Sequence, residues 1–147
     1  MTQLNQQHVL EWANRSFGAI ASNPDERAAR LAEEAIEIAQ CEGVPLEVIV
    51  KIAQRVYSRP VGERWQEIGG TGIALLAYAE NAGQSLDTCI EREWTRLQGK
   101  SPEWWRMKHA EKVAAGTADL SPVRCCSYCI KDLNRGECAC SHCTGAR

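Results

Sequence analysis

Residues 23–41 read NPDERAARLAEEAIEIAQC, and this stretch decides the fold. Asn23 offers a side-chain oxygen to the unpaired N–H groups of a helix start. Pro24 suits the first turn, and Asp25 and Glu26 favour the positive end of the helix dipole. Ala28, Leu31, Ala35 and Ile38 then recur at helical spacing, and Gly43 stops the run.

The same pattern extends outward in both directions. A helix over residues 6–19 has apolar marks at Val9, Leu10, Ala13 and Phe17. Pro45 opens another, with Leu46, Ile49, Ile52, Ala53 and Val56 on its inner face. Residues 58–62 (SRPVG) break the pattern as a connection. The next helix covers residues 63–81. Its stretch at 73–79 is nearly all apolar and is expected at the centre of a bundle. Ser85 caps a fifth helix, and Ser101, Pro102 and Glu103 signal a sixth. No strand-like alternation occurs in this body, so the fold class is all-α. The pattern fades after Gly116. The expected organisation is a helical domain at residues 1–116, a linker at 117–123 and a cysteine-rich tail at 124–147.

Composition sets the outer limits. The chain has 147 residues, 44% hydrophobic and 24% charged, with a net charge of -2, which is close to the average for globular proteins. The tail is +2 (Arg124, Lys131, Arg135 and Arg147 against Asp132 and Glu137), leaving -4 for the body, where a metal-ion site should be sought. So little basic excess argues against a dedicated nucleic-acid binder. No window approaches 18 consecutive apolar residues, so no membrane helix is expected. The first ten residues lack the basic start and apolar run of a signal peptide, which makes a reducing, cytoplasmic location the expectation.

Chemistry enters with Glu33, Glu34 and Glu37. At about 100° per residue they fall within an arc of about 100°, with Glu34 at the border of the apolar face. Three carboxylates this close repel one another, and a divalent cation between them removes that cost. A solvated acidic face is the other reading of such a cluster. The next helix begins with Glu63 and Glu67 and carries Gly69 and Gly70 in its interior. Two such glycines cost about 2 kcal/mol relative to alanine, so close packing or a ligand near the backbone is expected there.

These residues resemble the MazG-like all-α nucleoside triphosphate pyrophosphohydrolases. That family is marked by Glu-x-x-Glu on one helix and Glu-x-x-Asp on a later one. Here the first motif stands as Glu34 to Glu37, preceded by Glu33, and the second begins at Glu67. Residues 83–87 (GQSLD) look like the turn into the family's next helix. The likeness covers about residues 27–100. It is nearest to a branch, often phage-encoded, with Arg-Pro-Val-Gly-Glu before the second motif, here residues 59–63, and a double glycine within it. The family's Asp falls at Gly70, so one metal-binding carboxylate is missing.

The resemblance implies a fold, an oligomer and a reaction. Helices from two chains would build a four-helix core, making a homodimer or tetramer. Mg²⁺ (or Mn²⁺) on Glu34, Glu37 and Glu67 would support hydrolysis of an NTP or dNTP to the monophosphate and pyrophosphate. Glu33 would be a further ligand or a water-orienting base. The phosphates call for basic residues, and Arg92, Arg96 and Lys100 form one stripe on the fifth helix; a solvated face paired with Glu91 and Glu93 is the alternative. Trp65 is the one tryptophan placed to meet a nucleobase, whereas Trp12, Trp94, Trp104 and Trp105 read as core or interface. Cys41 and Cys89 read as small buried groups. The rival function is a nucleotide-binding or scaffold protein that lost activity with the Asp at Gly70.

Six of the eight cysteines lie in the last 23 residues. Cys126/Cys129 and Cys140/Cys143 form two Cys-x-x-Cys pairs with ten residues between them. Such pairs complete a tetrahedral, structural Zn²⁺ site with no position open to substrate. A disordered, redox-active tail is the other reading. Cys125, Cys138 and His142 remain unassigned. A module of this kind is expected to contact a protein or the neighbouring subunit, with nucleic acid ranked second.

Overall fold

The computed structural model describes residues 4–118. The expectations for residues 119–147, including the zinc ligands Cys126, Cys129, Cys140 and Cys143, lie outside the described residues. Among the described residues all regular structure is helical. The elements are α1 (Gln6–Phe17), a 3-10 turn (Ala19–Ser22), α2 (Pro24–Cys41), α3 (Leu46–Tyr57), α4 (Arg64–Asn81), α5 (Leu86–Gln98) and α6 (Pro102–Ala114).

Local chemistry accounts for the boundaries. Asn23 Oδ1 accepts from the Asp25 and Glu26 N–H groups at 2.8 and 3.2 Å, which starts α2. Ser85 and Ser101 do the same for α5 and α6 through the Thr88 and Trp104 N–H groups. α2 and α4 end alike: Gly43 (φ 72) and Gly83 (φ 64) turn left-handed, and the Val44 and Gln84 N–H groups reach back to Ala39 and Ala79 at 2.9 Å. Only glycine adopts that turn without strain. α1 is shorter than expected, because the chain turns out at Gly18 (φ 78) into the 3-10 turn.

Packing within the chain is concentrated at one end. α1 lies against α6 and the 3-10 turn, and the turn lies against α2. Trp12 is the hub, meeting Phe17, Trp94 and Trp105 edge-on at centroid distances of 5.9, 5.5 and 5.4 Å. Edge-to-face geometry suits the ring quadrupoles. These contacts hold α5 and α6 to α1, as expected of core tryptophans.

α3 and α4 are different. Among the described residues the buried apolar ones are alanines (Ala13, Ala21, Ala79 and Ala118), and no large side chain is wholly enclosed. Ile73 and Leu76 are 71% and 59% exposed, so the apolar run at 73–79 is not the centre of a single-chain bundle. Leu46, Ile52 and Tyr57 on α3 are likewise exposed. Cys41 and Cys89 are exposed rather than buried; among the described residues the extensive packing is confined to α1, α6, the 3-10 turn and α2. No described helix is long and apolar enough to cross a membrane.

Candidate functional site

The α2 carboxylates form the electrostatic focus of the protein. Desolvation pushes the Glu34 carboxyl above the usual glutamate value, and Glu37, Glu33 and Glu93 of α5 push it further, against a smaller pull from Lys112. The side chain is exposed by surface area, so the crowding is a rim effect rather than deep burial. Arg96 sits close enough to Glu34 for that charge to help hold its guanidinium protonated, although its main partner is Glu93, through two hydrogen bonds of 2.7 and 2.6 Å.

Glu33 is already engaged. Its Oε2 takes a hydrogen bond from Arg30 Nη1 one turn earlier on α2 and one of 2.5 Å from Lys112 Nζ at the end of α6. Arg30 also donates through Nη2 to the Thr117 carbonyl. The first residues of the expected linker are thereby fastened to α2, and Ala118 is buried. Two cations on one carboxylate hold the Glu33 side chain in place.

Glu67 stands apart. Its carboxylate folds back over the α-carbon of Gly62, where any side chain would collide with Oε1. Glu67 is not among the charges that shift Glu34, because α4 makes no extensive contact with the other helices of its own chain. The tie from α4 to the end of α2 is the Tyr78 hydroxyl, which donates to Glu42 Oε1 at 2.7 Å. Among the described residues no three His, Cys, Asp or Glu side chains are grouped so as to hold a metal ion. The carboxylates of α2 nevertheless have the donor chemistry that Mg²⁺ takes.

The basic stripe is divided among tasks. Arg96 faces the carboxylates, Lys100 lies over the Trp104 ring at 5.3 Å, and Arg92 is exposed. Trp65 is 75% exposed at the start of α4, open to a ligand or a partner. Comparison with family models, with curated proteins and with solved structures returns no match. Function therefore has to be argued from these residues. Sequence reasoning missed Arg30 and Lys112. Arg30 was detectable from its three-residue spacing to Glu33, whereas Lys112 is 79 residues away and gave no local signal.

The raised Glu34 pKa makes a stability prediction. A carboxyl held above its unfolded value stabilises the folded protein below that value, and the contribution is lost as pH rises through the folded value. Glu34→Gln is therefore expected to raise the Tm near pH 7.5 in the absence of divalent cations, by about 1–3 °C as a partly exposed site allows. The difference should vanish near pH 4. Thermal melts across that range check it; a Tm lowered at pH 7.5 would mean that the Glu34 charge is stabilising in the fold.

Proposed function

We propose that this chain is a Mg²⁺-dependent nucleoside triphosphate pyrophosphohydrolase of the MazG-like type, working as a homo-oligomer. Mn²⁺ is an acceptable replacement on the same oxygen ligands. The observation that carries this reading is the crowding of Glu33, Glu34 and Glu37 on one face of α2, with Glu34 raised and Arg96 beside it. Carboxylates with an arginine beside them fit a metal held together with polyphosphate.

Each residue has a role in that reading. Glu34 and Glu37 hold the metal, and Glu67 completes the set. Glu33, fixed by Arg30 and Lys112, orients the attacking water. Arg96, with Arg92 on the same helix and Lys100 just past its end, binds the phosphates, and Trp65 stacks on the base. The metal, when bound, supplies charge neutralisation at the triphosphate. The exposed apolar faces of α3 and α4 favour a second copy of the chain as their cover, since contiguous exposed apolar patches mark interaction sites. A second copy would also give α4, and Glu67 with it, a packed environment.

The rival reading is a nucleotide-binding scaffold. Gly70 in place of the acidic residue, and the lack of a three-ligand group among the described residues, favour it. Incubation with each NTP and dNTP plus Mg²⁺ separates the two. Equal release of monophosphate and pyrophosphate is expected from at least one nucleotide; no release from any favours the scaffold.

The tail completes the proposal. Zinc on Cys126, Cys129, Cys140 and Cys143 is structural and braces a protein contact. Freshly reduced full-length protein is expected to carry about one zinc per chain, as one four-thiolate site requires. The Cys126→Ser, Cys129→Ser double variant should lose it while keeping the helical circular dichroism. Metal analysis without zinc or iron removes the module.

A further inference from the structure

Two open surfaces of this chain are complementary. The first is a groove of about 1300 Å³ between α1 and α5. Val9, Leu10 and Ala13 of α1 form one wall, and Ile90 and Trp94 of α5 form the other. Small-molecule sites hold on the order of 300–1,000 Å³, so this groove has room for a length of polypeptide. The second surface is α4. Residues 68–79 (IGGTGIALLAYA) carry no charge, and Ile68, Ile73 and Leu76 are all exposed. A helix that is apolar on most of its circumference belongs inside a packed structure.

Length and charge fit the one to the other. At about 1.5 Å per residue the uncharged run of α4 is about 17 Å long, and so is the α5 wall from Asp87 to Gln98. Asp87 and Glu91 make the groove acidic along the first half of α5, and Arg27 makes it basic elsewhere. Arg27 marks the end of the groove toward Phe17, because it also lines the small cavity beside Phe17 and Ile20. Trp12, near that end of α1, meets Trp94, so the basic end lies along the second half of α5. On α4, Arg64 precedes the uncharged run and Glu80 follows it. At about 100° per residue Glu80 shares a face with Trp65, Ile73 and Leu76, Arg64 borders that face, and Glu67 lies opposite. A helix with these charges fits the groove when it runs parallel to α5, with Arg64 by Asp87 and Glu91 and with Glu80 by Arg27. None of these charged residues forms an ion pair among the described residues.

The direction selects the occupant. Within one chain the short turn at residues 82–85 joins α4 to α5, so the two could pack only antiparallel. That arrangement sets Glu80 beside Asp87, two like charges. A second copy has no such constraint. We propose that α4 of one chain seats in the α1/α5 groove of a second copy, parallel to its α5, and that the exchange is reciprocal about a two-fold axis. The seat rests on the homo-oligomer part of the functional reading and not on hydrolysis.

Sedimentation of the full-length chain tests the seat. Ile90→Glu, in the groove wall, should weaken association by about 10²-fold or more, as Leu76→Glu does from the α4 side. Mixed in equal amounts, the two variants share one intact helix and one intact groove. With one variant ¹⁵N-labelled, native mass spectrometry should show a mixed dimer about tenfold or more tighter than either variant with itself. Arg64→Glu and Glu91→Arg should each weaken the dimer by about threefold or more, and the two together in one chain should restore it. Wild type decides where a variant does not fold. Hydroxyl-radical footprinting should protect Leu10 and Ile90 together with Trp65 and Leu76, by about tenfold when about nine chains in ten are paired. A wild-type monomer at micromolar concentration overturns both the seat and the homo-oligomer reading. A wild-type dimer that Ile90→Glu leaves intact, a mixture no tighter than its parts, a charge swap without rescue, or Leu10 and Ile90 left open in the footprint overturns the seat alone.

Discussion

Glu37→Gln is expected to lower Mg²⁺-dependent pyrophosphate release by about 10²–10³-fold, the range lost when one preorganised charge-stabilising group is removed from a phosphoryl-transfer site. The substitution preserves shape and removes only the charge. Glu37 is exposed on α2, so the fold should tolerate the change within about 0.5 kcal/mol. Gly70→Asp supplies the opposite arm. A Cβ at Gly70 meets nothing within 4 Å in the protomer, and aspartate is a slightly better helix residue than glycine. The variant should fold, place a carboxylate one turn after Glu67, and raise activity or lower the Mg²⁺ concentration needed. Release by Gly70→Asp alone, with wild type and Glu37→Gln both silent, would establish the scaffold reading and show which carboxylate had been lost. Steady-state assays of the three proteins over a Mg²⁺ series decide the matter.

The parts of this arrangement that the sequence revealed are those with local causes. α2 was legible to its ends because Asn23, Pro24, Asp25 and Gly43 each act within one turn. The proximity of Glu33, Glu34 and Glu37 was legible for the same reason, since helical geometry alone brings them together. What they meet was not. Lys112 reaches Glu33 across 79 residues, and Glu93 and Arg96 of α5 come near Glu34 through tertiary placement. Glu26 read as an acid favouring the helix dipole, and nothing in the sequence marked that it is buried beside Arg30. The apolar run at 73–79 was expected at the centre of a bundle, yet Ile73 and Leu76 are exposed; periodicity marks an apolar face without saying what lies against it. Cys41 and Cys89 failed for that reason too: their apolar character was judged without knowing that their faces of α2 and α5 are left open.

That open surface leads to the prediction about assembly. Leu76 is 59% exposed in the protomer. For a monomer, Leu76→Glu would be a surface change worth within about 0.5 kcal/mol, or a slight gain in solubility. For a two-fold dimer packed through α4 the change occurs twice in one interface. Losing the burial of one leucine costs about 1.5–3 kcal/mol. Two copies then cost about 3–6 kcal/mol, which weakens the dimer by about 10²–10⁴-fold. Gly69 sharpens the test, because its Cβ position is also empty in the protomer. In an isolated helix Gly69→Ala gains up to about 1 kcal/mol of helix stability, whereas against a partner backbone the added methyl group weakens association. Sedimentation of wild type at micromolar concentration should show a dimer or tetramer, with a Tm that rises with protein concentration. Leu76→Glu should dissociate, or unfold if the separated chain cannot stand alone with alanines as the buried apolar residues among those described. A compact wild-type monomer whose Tm is independent of concentration, and which Leu76→Glu leaves unchanged, would return the exposed faces of α3 and α4 to a different partner.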